Sequence, residues 1–244
     1  MSIALVTGST RGLGLATATA LAEAGHTVII TGRDAEAVRT TCAAARSAGL
    51  VIEGITLDVV EPESVATLTA QIQDRYGALD ILVNNAGILP EATDPVPHEF
   101  ASVEMFRRTF ETNVFGVVAV TEALLPLLRS SDAGRIVNVS STMGSLADQG
   151  DPESPWFSML LPAYQTSKAA LNSITVELGK RLSATPVVVT SVCPGWVQTD
   201  LAPGNHENAP LTAAAAAEVV VTAALAPAGA SSGTFVDAAG PVRW

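Results

Sequence analysis

Ile3-Ala4-Leu5-Val6-Thr7-Gly8-Ser9-Thr10-Arg11-Gly12-Leu13-Gly14 decides the fold. Residues 3 to 7 read as a buried strand and residues 14 to 24 as the helix that follows, with glycines at 8, 12 and 14 in the turn between them. Gly8 permits a sharp exit from the strand. Gly12 and Gly14 remove side chains where the helix start and an anion must approach closely. Backbone N–H groups at such a helix start hold phosphate, and strand, turn and helix stand in the order of a dinucleotide site. The spacing Gly-x-x-x-Gly-x-Gly departs from the commoner Gly-x-Gly-x-x-Gly, so the flanking strand and helix carry the reading.

Outward from this turn, strands near 3–7, 27–31, 51–57, 79–83, 134–139, 187–192 and 233–236 alternate with helices near 14–24, 34–48, 62–76, 101–129, 163–182 and 212–225. The alternation predicts an α/β fold of Rossmann type, doubly wound, with a mainly seven-stranded parallel sheet and helices on both faces in three α/β/α layers. Residues 1–244 read as a single dinucleotide-binding and catalytic domain, long enough for one continuous core and without linker or repeat. Right-handed crossovers bring the C-terminal strand ends to one edge, where the glycine turn, Asn84 to Gly87, Ser141 and Pro194 converge.

Thirteen basic and twenty-four acidic residues give a net charge of −11, which opposes nucleic-acid phosphates and anionic membranes and favours a small-molecule substrate. The apolar stretch 213–230 is broken by Glu218 and Pro227 and reads as a packed helix and loop rather than a membrane span. No basic segment followed by an apolar one opens the chain, and Cys42 and Cys193 are too few for a disulfide framework, so a cytoplasmic location is expected. Both cysteines read as packing residues, Cys193 standing close enough to Pro194-Gly195 to touch a cofactor cleft. His26, His98 and His206 show no ligand spacing, and no metal site is expected.

Tyr164 and Lys168 supply the chemistry. On a helix over 163–182 they share a face, placing an ammonium beside a phenol whose ordinary pKa is about 10. The charge favours the phenolate and draws the pKa toward the working range, making the pair a proton donor and acceptor.

With Asn84-Asn85-Ala86-Gly87, Asn113, Ser141, Tyr164, Lys168 and Pro194-Gly195 in order, the chain resembles the short-chain dehydrogenase/reductase family from end to end. It looks most like the carbonyl reductase branch through Asn85-Ala86-Gly87-Ile88, Cys193-Pro194-Gly195-Trp196-Val197-Gln198-Thr199-Asp200 and the closing Val242-Arg243-Trp244. The resemblance implies cofactor contacts at Gly8, Thr10, Arg11, Gly12, Leu13 and Gly14, at Asn85, Ala86 and Gly87 with Asn84 on the ribose side, and at Pro194, Gly195, Val197 and Thr199. Thr199 would bond the nicotinamide carboxamide. Asp58 and Val59 resemble the adenine-contacting pair, Asp58 serving equally well as a turn cap.

Cofactor choice rests on the end of the second strand. Gly32 stands where NAD-binding relatives place a carboxylate, Arg33 offers a planar cation to a 2′-phosphate, and the resemblance puts Arg11 near the same phosphate, so NADP(H) is expected. Against this, Arg33 is read alternatively as a solvated surface residue and Asp34 as an ordinary helix cap.

The implied reaction is reversible reduction of a ketone or aldehyde by hydride from NADPH, with Tyr164 as general acid/base. Lys168 would lower the tyrosine pKa and contact the nicotinamide ribose, and Ser141 would donate to the substrate carbonyl, with Ser140 or Ser145 as alternatives. Asn113 would hold water linking Lys168 to solvent, through its side chain or a locally opened backbone carbonyl. The alternatives are an NAD-linked alcohol dehydrogenase of the same fold, a reductase of one biosynthetic substrate, and an NADP-binding redox sensor without turnover. Residues 142–163 form a long insertion containing Trp156, Phe157, Met159, Leu160 and Leu161 that roofs the pocket or covers faces through which relatives associate. A monomer or homodimer is expected, with a tetramer as the alternative, and Leu201 to Pro210 reads as a substrate lid.

Overall fold

The computed structural model describes residues 2–244. In chain order the first half contains β1 (Ile3–Val6), α1 (Gly12–Glu23), β2 (Thr27–Gly32), α2 (Ala35–Ser47), β3 (Ile52–Thr56), α3 (Pro62–Tyr76), β4 (Ile81–Asn84), α4 (Val103–Phe110) and α5 (Val117–Arg129). The second half contains β5 (Arg135–Val139), α6 (Leu146–Gln149), α7 (Pro162–Arg181), β6 (Val188–Val192), α8 (Asn205–Asn208), α9 (Ala213–Ala224), β7 (Thr234–Asp237) and β8 (Gly240–Pro241). The strands form one sheet in the order β3-β2-β1-β4-β5-β6-β7-β8. Pairing is parallel as far as β7, and β8 turns back on β7 antiparallel. That last strand lies beyond the expected set because two residues are too short to show an alternation.

Register sorts the core into two faces. Ile29, Leu5, Leu82, Ile136 and Val189 stand opposite one another across the sheet and pack on Leu68 and Ile72 of α3 and Leu124 and Leu128 of α5. One residue further along, Ile30, Val6, Val83 and Val137 make the opposite row and pack on Ala18 and Leu21 of α1, Cys42 of α2 and Val220 of α9. Strands covered on both faces lose polar alternation, so they read in sequence as unbroken apolar runs. At about 1.5–3 kcal/mol for each large side chain taken from water, these rows dominate the stability of the fold.

The helix expected near 101–129 is interrupted. Between α4 and α5 the backbone widens into a π-helical segment, Glu111–Gly116. Gly116 closes it where a Cβ would lie 2.7 Å from Val59 Cγ2. The run Val103–Arg129 is long and apolar enough to cross a bilayer, yet half of its most apolar window is buried in the fold, with Val120, Leu124 and Leu128 fully covered.

Helix α7 passes the start of β7 backbone to backbone: a Cβ on Gly179 would lie 2.7 Å from both N and Cα of Gly233. Alanine there would gain about 1 kcal/mol of helix propensity. Forcing two backbones apart costs about 1–3 kcal/mol, so the contact outweighs the propensity. Gly179→Ala is therefore expected to lower the thermal unfolding midpoint by several degrees, followed by circular dichroism. A raised midpoint would show that the helix moves away freely.

Candidate active site

The site lies where the strand order reverses, between β1 and β4. Thr7 fastens the two strand ends: its N–H donates to Val83 O at 3.0 Å, and its Oγ1 accepts from the N–H groups of Asn85 and Ala86, both at 3.0 Å. Asn85 Nδ2 donates back to the carbonyls of Thr7 (2.8 Å) and Gly8 (3.0 Å), so this amide braces the glycine turn. Gly8 and Gly12 adopt φ of +62° and +56°. A Cβ on Gly8 would lie 2.9 Å from Ala86 Cα, and one on Gly14 would run into Asn85 Nδ2. Helix α1 then begins at Arg11 with no side-chain cap and no acidic residue in its first turn. Its leading N–H groups stand at the positive end of the helix dipole with no cap from the helix's own side chains, and this cradle fits the pyrophosphate of a nicotinamide dinucleotide.

Several expected cofactor contacts have other partners. Asn84, 2 % exposed, donates to Thr121 Oγ1 (3.0 Å) and Asn138 Oδ1 (2.9 Å) and belongs to a buried network that continues through Thr175 to Ser191. Its amide braces the sheet from within, as a buried amide needs partners inside the fold. Asp58 Oδ1 accepts from Val60 N at 3.2 Å, the turn-capping role, and Val59 packs on Gly116. Arg11 Nε lies 3.4 Å from Asp200 Oδ2, an exposed pair that joins the glycine turn to the loop after β6. Thr199 covers the same turn, its Cγ2 standing 3.3 Å from where a Cβ of Gly12 would be. Gly195 takes φ of +82°, and Val197 bridges to Leu211.

At the end of β2, Arg33 is exposed and Asp34 caps α2, its Oδ1 accepting from Glu36 N (2.9 Å) and Ala37 N (3.3 Å). Gly32 has a steric reason of its own: a Cβ there would lie 2.7 Å from Thr10 Cγ2. The missing carboxylate at this position is thus accounted for by packing and says little about the cofactor. Leu13 packs partly into the core below the turn.

Helix α7 carries Tyr164 and Lys168 into the reversal point, 7 % and 5 % exposed. Lys168 Nζ donates to Val139 O at 2.8 Å and sits 5.6 Å from the Tyr164 ring centroid. A Cβ on Gly87 would lie 3.4 Å from Asn113 Oδ1 and 3.7 Å from Lys168 Nζ, so the turn after β4 meets both. Gly144 lets the segment after β5 touch α7, since a Cβ would lie 2.7 Å from Lys168 Cβ. Ser141 caps that segment, its Oγ accepting from Met143 N at 3.1 Å, and its hydroxyl acts on the Tyr164 phenol in the direction that lowers its pKa. Ser140 is spent on Asn172 Oδ1 at 2.6 Å and Ser145 on the start of α6, which leaves Ser141 as the serine at the phenol.

Burial governs the electrostatics. Loss of water pushes the Tyr164 phenol well above its ordinary range; the nearby Cys193 acts the same way, and the Ser141 hydroxyl opposes. Burial pulls Lys168 down to about 8, with Cys193 acting against it. The sequence-based expectation is that Lys168 lowers the tyrosine pKa; in the protein alone burial dominates and the phenol is pushed up. Cys193, 5 % exposed, is both packed and part of the site. Cys42 is purely a packing residue, its Sγ 2.7 Å from a would-be Cβ of Gly54.

Asn113 sits in the π-helical segment. Its Oδ1 accepts from Ile88 N (2.8 Å), while Nδ2 donates to Ile88 O (3.0 Å) and Ser167 Oγ (3.1 Å). The side chain is thereby occupied by protein partners, inside a π-helical turn of the kind often found at functional sites. Asn113 is also a clamp between the post-β4 loop and α7. Sequence reading missed Glu91, whose carboxylate accepts from the N–H groups of Ala163 and Tyr164. Its signal was the leucine at 161, which cannot cap the helix that Pro162 begins.

Phe157, Met159 and Leu160 of the segment before α7, and Trp196 and Leu201 of the loop after β6, are exposed. The 142–163 insertion is held by the chain end, through Arg243 to Asp148 (2.7 Å) and Asp151 (3.3 Å) and through Ala147 N to Trp244 O (2.9 Å). The 201–210 loop folds into α8 and is held by Trp196 Nε1 to Asn205 Oδ1 at 2.9 Å and His206 to Asp200 at 2.8 Å.

The sequence model of the family described as short chain dehydrogenase matches residues 2–210. Short-chain dehydrogenase/reductase 1 of Saponaria officinalis is 34 % identical, over 95 % of this chain and 92 % of its own. Among solved structures, the carbonyl reductase Sniffer of D. melanogaster superposes with a TM-score of 0.83 at 29 % identity, covering 100 % of this chain and 99 % of that one. A variant of the actinorhodin polyketide ketoreductase, solved with NADPH, gives 0.80 at 30 % identity, covering 98 % and 96 %.

The depressed lysine has a consequence for stability. An ordinary lysine keeps its proton to 10.5 while native Lys168 releases it near 8, so between these values the unfolded chain binds more protons and stability rises with pH. Relative to Lys168→Met, the cofactor-free wild type is expected to gain stability from about pH 8 toward 10.5 and to run parallel below 8. Denaturant midpoints across this range check it, and a flat difference curve would contradict the shift.

Proposed function

The chain belongs to the short-chain dehydrogenase/reductase family, and on that premise we propose that it is an NADPH-dependent oxidoreductase reducing ketone or aldehyde carbonyls reversibly, with Tyr164 as general acid and base. One observation carries this: a Tyr164 phenol buried beside Lys168 and Ser141, at the sheet edge onto which the glycine cradle opens. Ser141 donates a hydrogen bond to the substrate oxygen and polarises it. Tyr164, protonated at neutral pH, delivers the proton, and the phenolate left behind is stabilised by the Lys168 ammonium. Val139 O holds that ammonium in place. Asn113 fixes the adjoining loop, and the π-turn around it gives water a backbone partner through which the proton is replaced. The nicotinamide cofactor, when bound, supplies hydride in one direction and accepts it in the other.

For NADPH over NADH, the support is Arg33, exposed where a 2′-phosphate would lie, together with the NADPH named for the polyketide ketoreductase. Arg11 adds to this only if it leaves Asp200. The exposed apolar side chains of the segment before α7 and of the loop after β6 favour substrates with hydrocarbon flanking the carbonyl.

Following NADPH absorbance against a panel of ketones and aldehydes tests the assignment. Tyr164→Phe is expected to lose about 10²–10⁴-fold in kcat while still binding NADPH, as general acid catalysis predicts. An unimpaired Tyr164→Phe rules out the proton role. Arg33→Ala is expected to reduce the kcat/KM preference for NADPH over NADH by about 10–100-fold, the effect of losing a charge-assisted contact. An unchanged preference removes Arg33 from the cofactor site.

A further inference from the structure

The helix that carries Tyr164 and Lys168 starts without a local cap. Leu161 stands at the cap position and Pro162, at the first helical position, has no N–H. The next donors bind a residue from a distant part of the chain: Ala163 N donates to Glu91 Oε1 at 3.0 Å and Tyr164 N to Glu91 Oε2 at 2.8 Å. Ala163 is fully buried and Tyr164 nearly so, which denies these donors water as a substitute. Gln165 completes the start by accepting from Leu161 N at 3.0 Å. A carboxylate suits this place for two reasons. It offers two acceptors and no donor, and its charge faces the positive end of the helix dipole.

Glu91 lies in the short turn Pro90–Thr93, just after the loop that braces the glycine cradle. That loop is bonded through Asn85 to Thr7 and Gly8, and through Ile88 to Asn113. Asn113 in turn reaches Ser167, whose Oγ donates to Tyr164 O at 2.7 Å. The cofactor side and the first turn of α7 are thus joined through one short stretch of chain, with Glu91 as its last fastening.

We infer that Glu91 is a positioning residue for the reaction proposed above, on which this inference rests: it ties the backbone of Tyr164 to the loop beside the cradle and so sets where the phenol stands relative to cofactor and substrate. Glu91→Gln keeps the volume but turns an NH₂ toward one of the two backbone donors. In this variant, without substrate, hydrogen exchange at the Ala163 and Tyr164 amides is expected to quicken by roughly 10–100-fold. Its kcat is expected to fall by roughly 10–100-fold, as small misplacements do, with substrate KM and NADPH Kd within about twofold of wild type.

A second variant, Glu91→Ala with Leu161→Asp, supplies a local cap without the tether. It is expected to recover thermal stability and leave kcat low. Recovery of kcat along with stability would reduce Glu91 to an ordinary cap and overturn the inference, as would wild-type exchange rates in Glu91→Gln. Should the wild type reduce no carbonyl at all, the proposed reaction fails on its own, and the exchange rates still decide whether Glu91 holds this turn.

Discussion

Taking Tyr164 and Lys168 out of water pushes both toward their neutral forms, and the rest of the site is arranged around that fact. The phenol rises above its ordinary range and the ammonium drops to about 8. At neutral pH this leaves a protonated phenol next to a charged lysine, the state required of a proton donor. The pair remains in place because the sheet offers Val139 O to the ammonium at 2.8 Å, and because Gly87 and Gly144 let two loops close on the helix without side chains in the way. A β-carbon at Gly144 would meet Lys168 directly, so the glycine is as much a part of the site as the lysine.

Two helix starts meet at the strand reversal, and neither is capped by its own side chain. The start of α1 has no side-chain cap, and the start of α7 gives its donors to Glu91. By contrast α2, α4 and α9 begin with Asp34, Ser102 and Thr212, each bonding its own helix. At the start of α7 the absent local cap is made good by long-range assembly.

Much of this was legible in the chain. The parallel strands stood out because burial on both faces makes them apolar runs, and the glycine turn stood out because its spacing sits between strand and helix. Tyr164, Lys168 and Ser141 fall together as their order suggested. Other features depend on tertiary partners. Asn84 resembles a cofactor residue in sequence, and only packing beside Thr121 and Asn138 shows it as an internal brace. The π-turn at 111–116 keeps an apolar periodicity close to that of an ordinary helix. Gly32 invites an electrostatic explanation until Thr10 is seen against it. Glu91 is remote from α7 in sequence, and the uncapped start at Leu161 shows that a partner is needed without showing which one.

The central claim is that the fold by itself keeps Tyr164 protonated, and that the phenol becomes acidic only when positive charge is added next to it. The chain has 2 tyrosines, so Tyr76→Phe leaves Tyr164 as the sole phenol in an ultraviolet titration. Without cofactor its midpoint should lie above the ordinary 10, and saturating NADP⁺ should move it down by roughly one unit or more. A midpoint at or below 10 in the free protein, unmoved by NADP⁺, would contradict the claim.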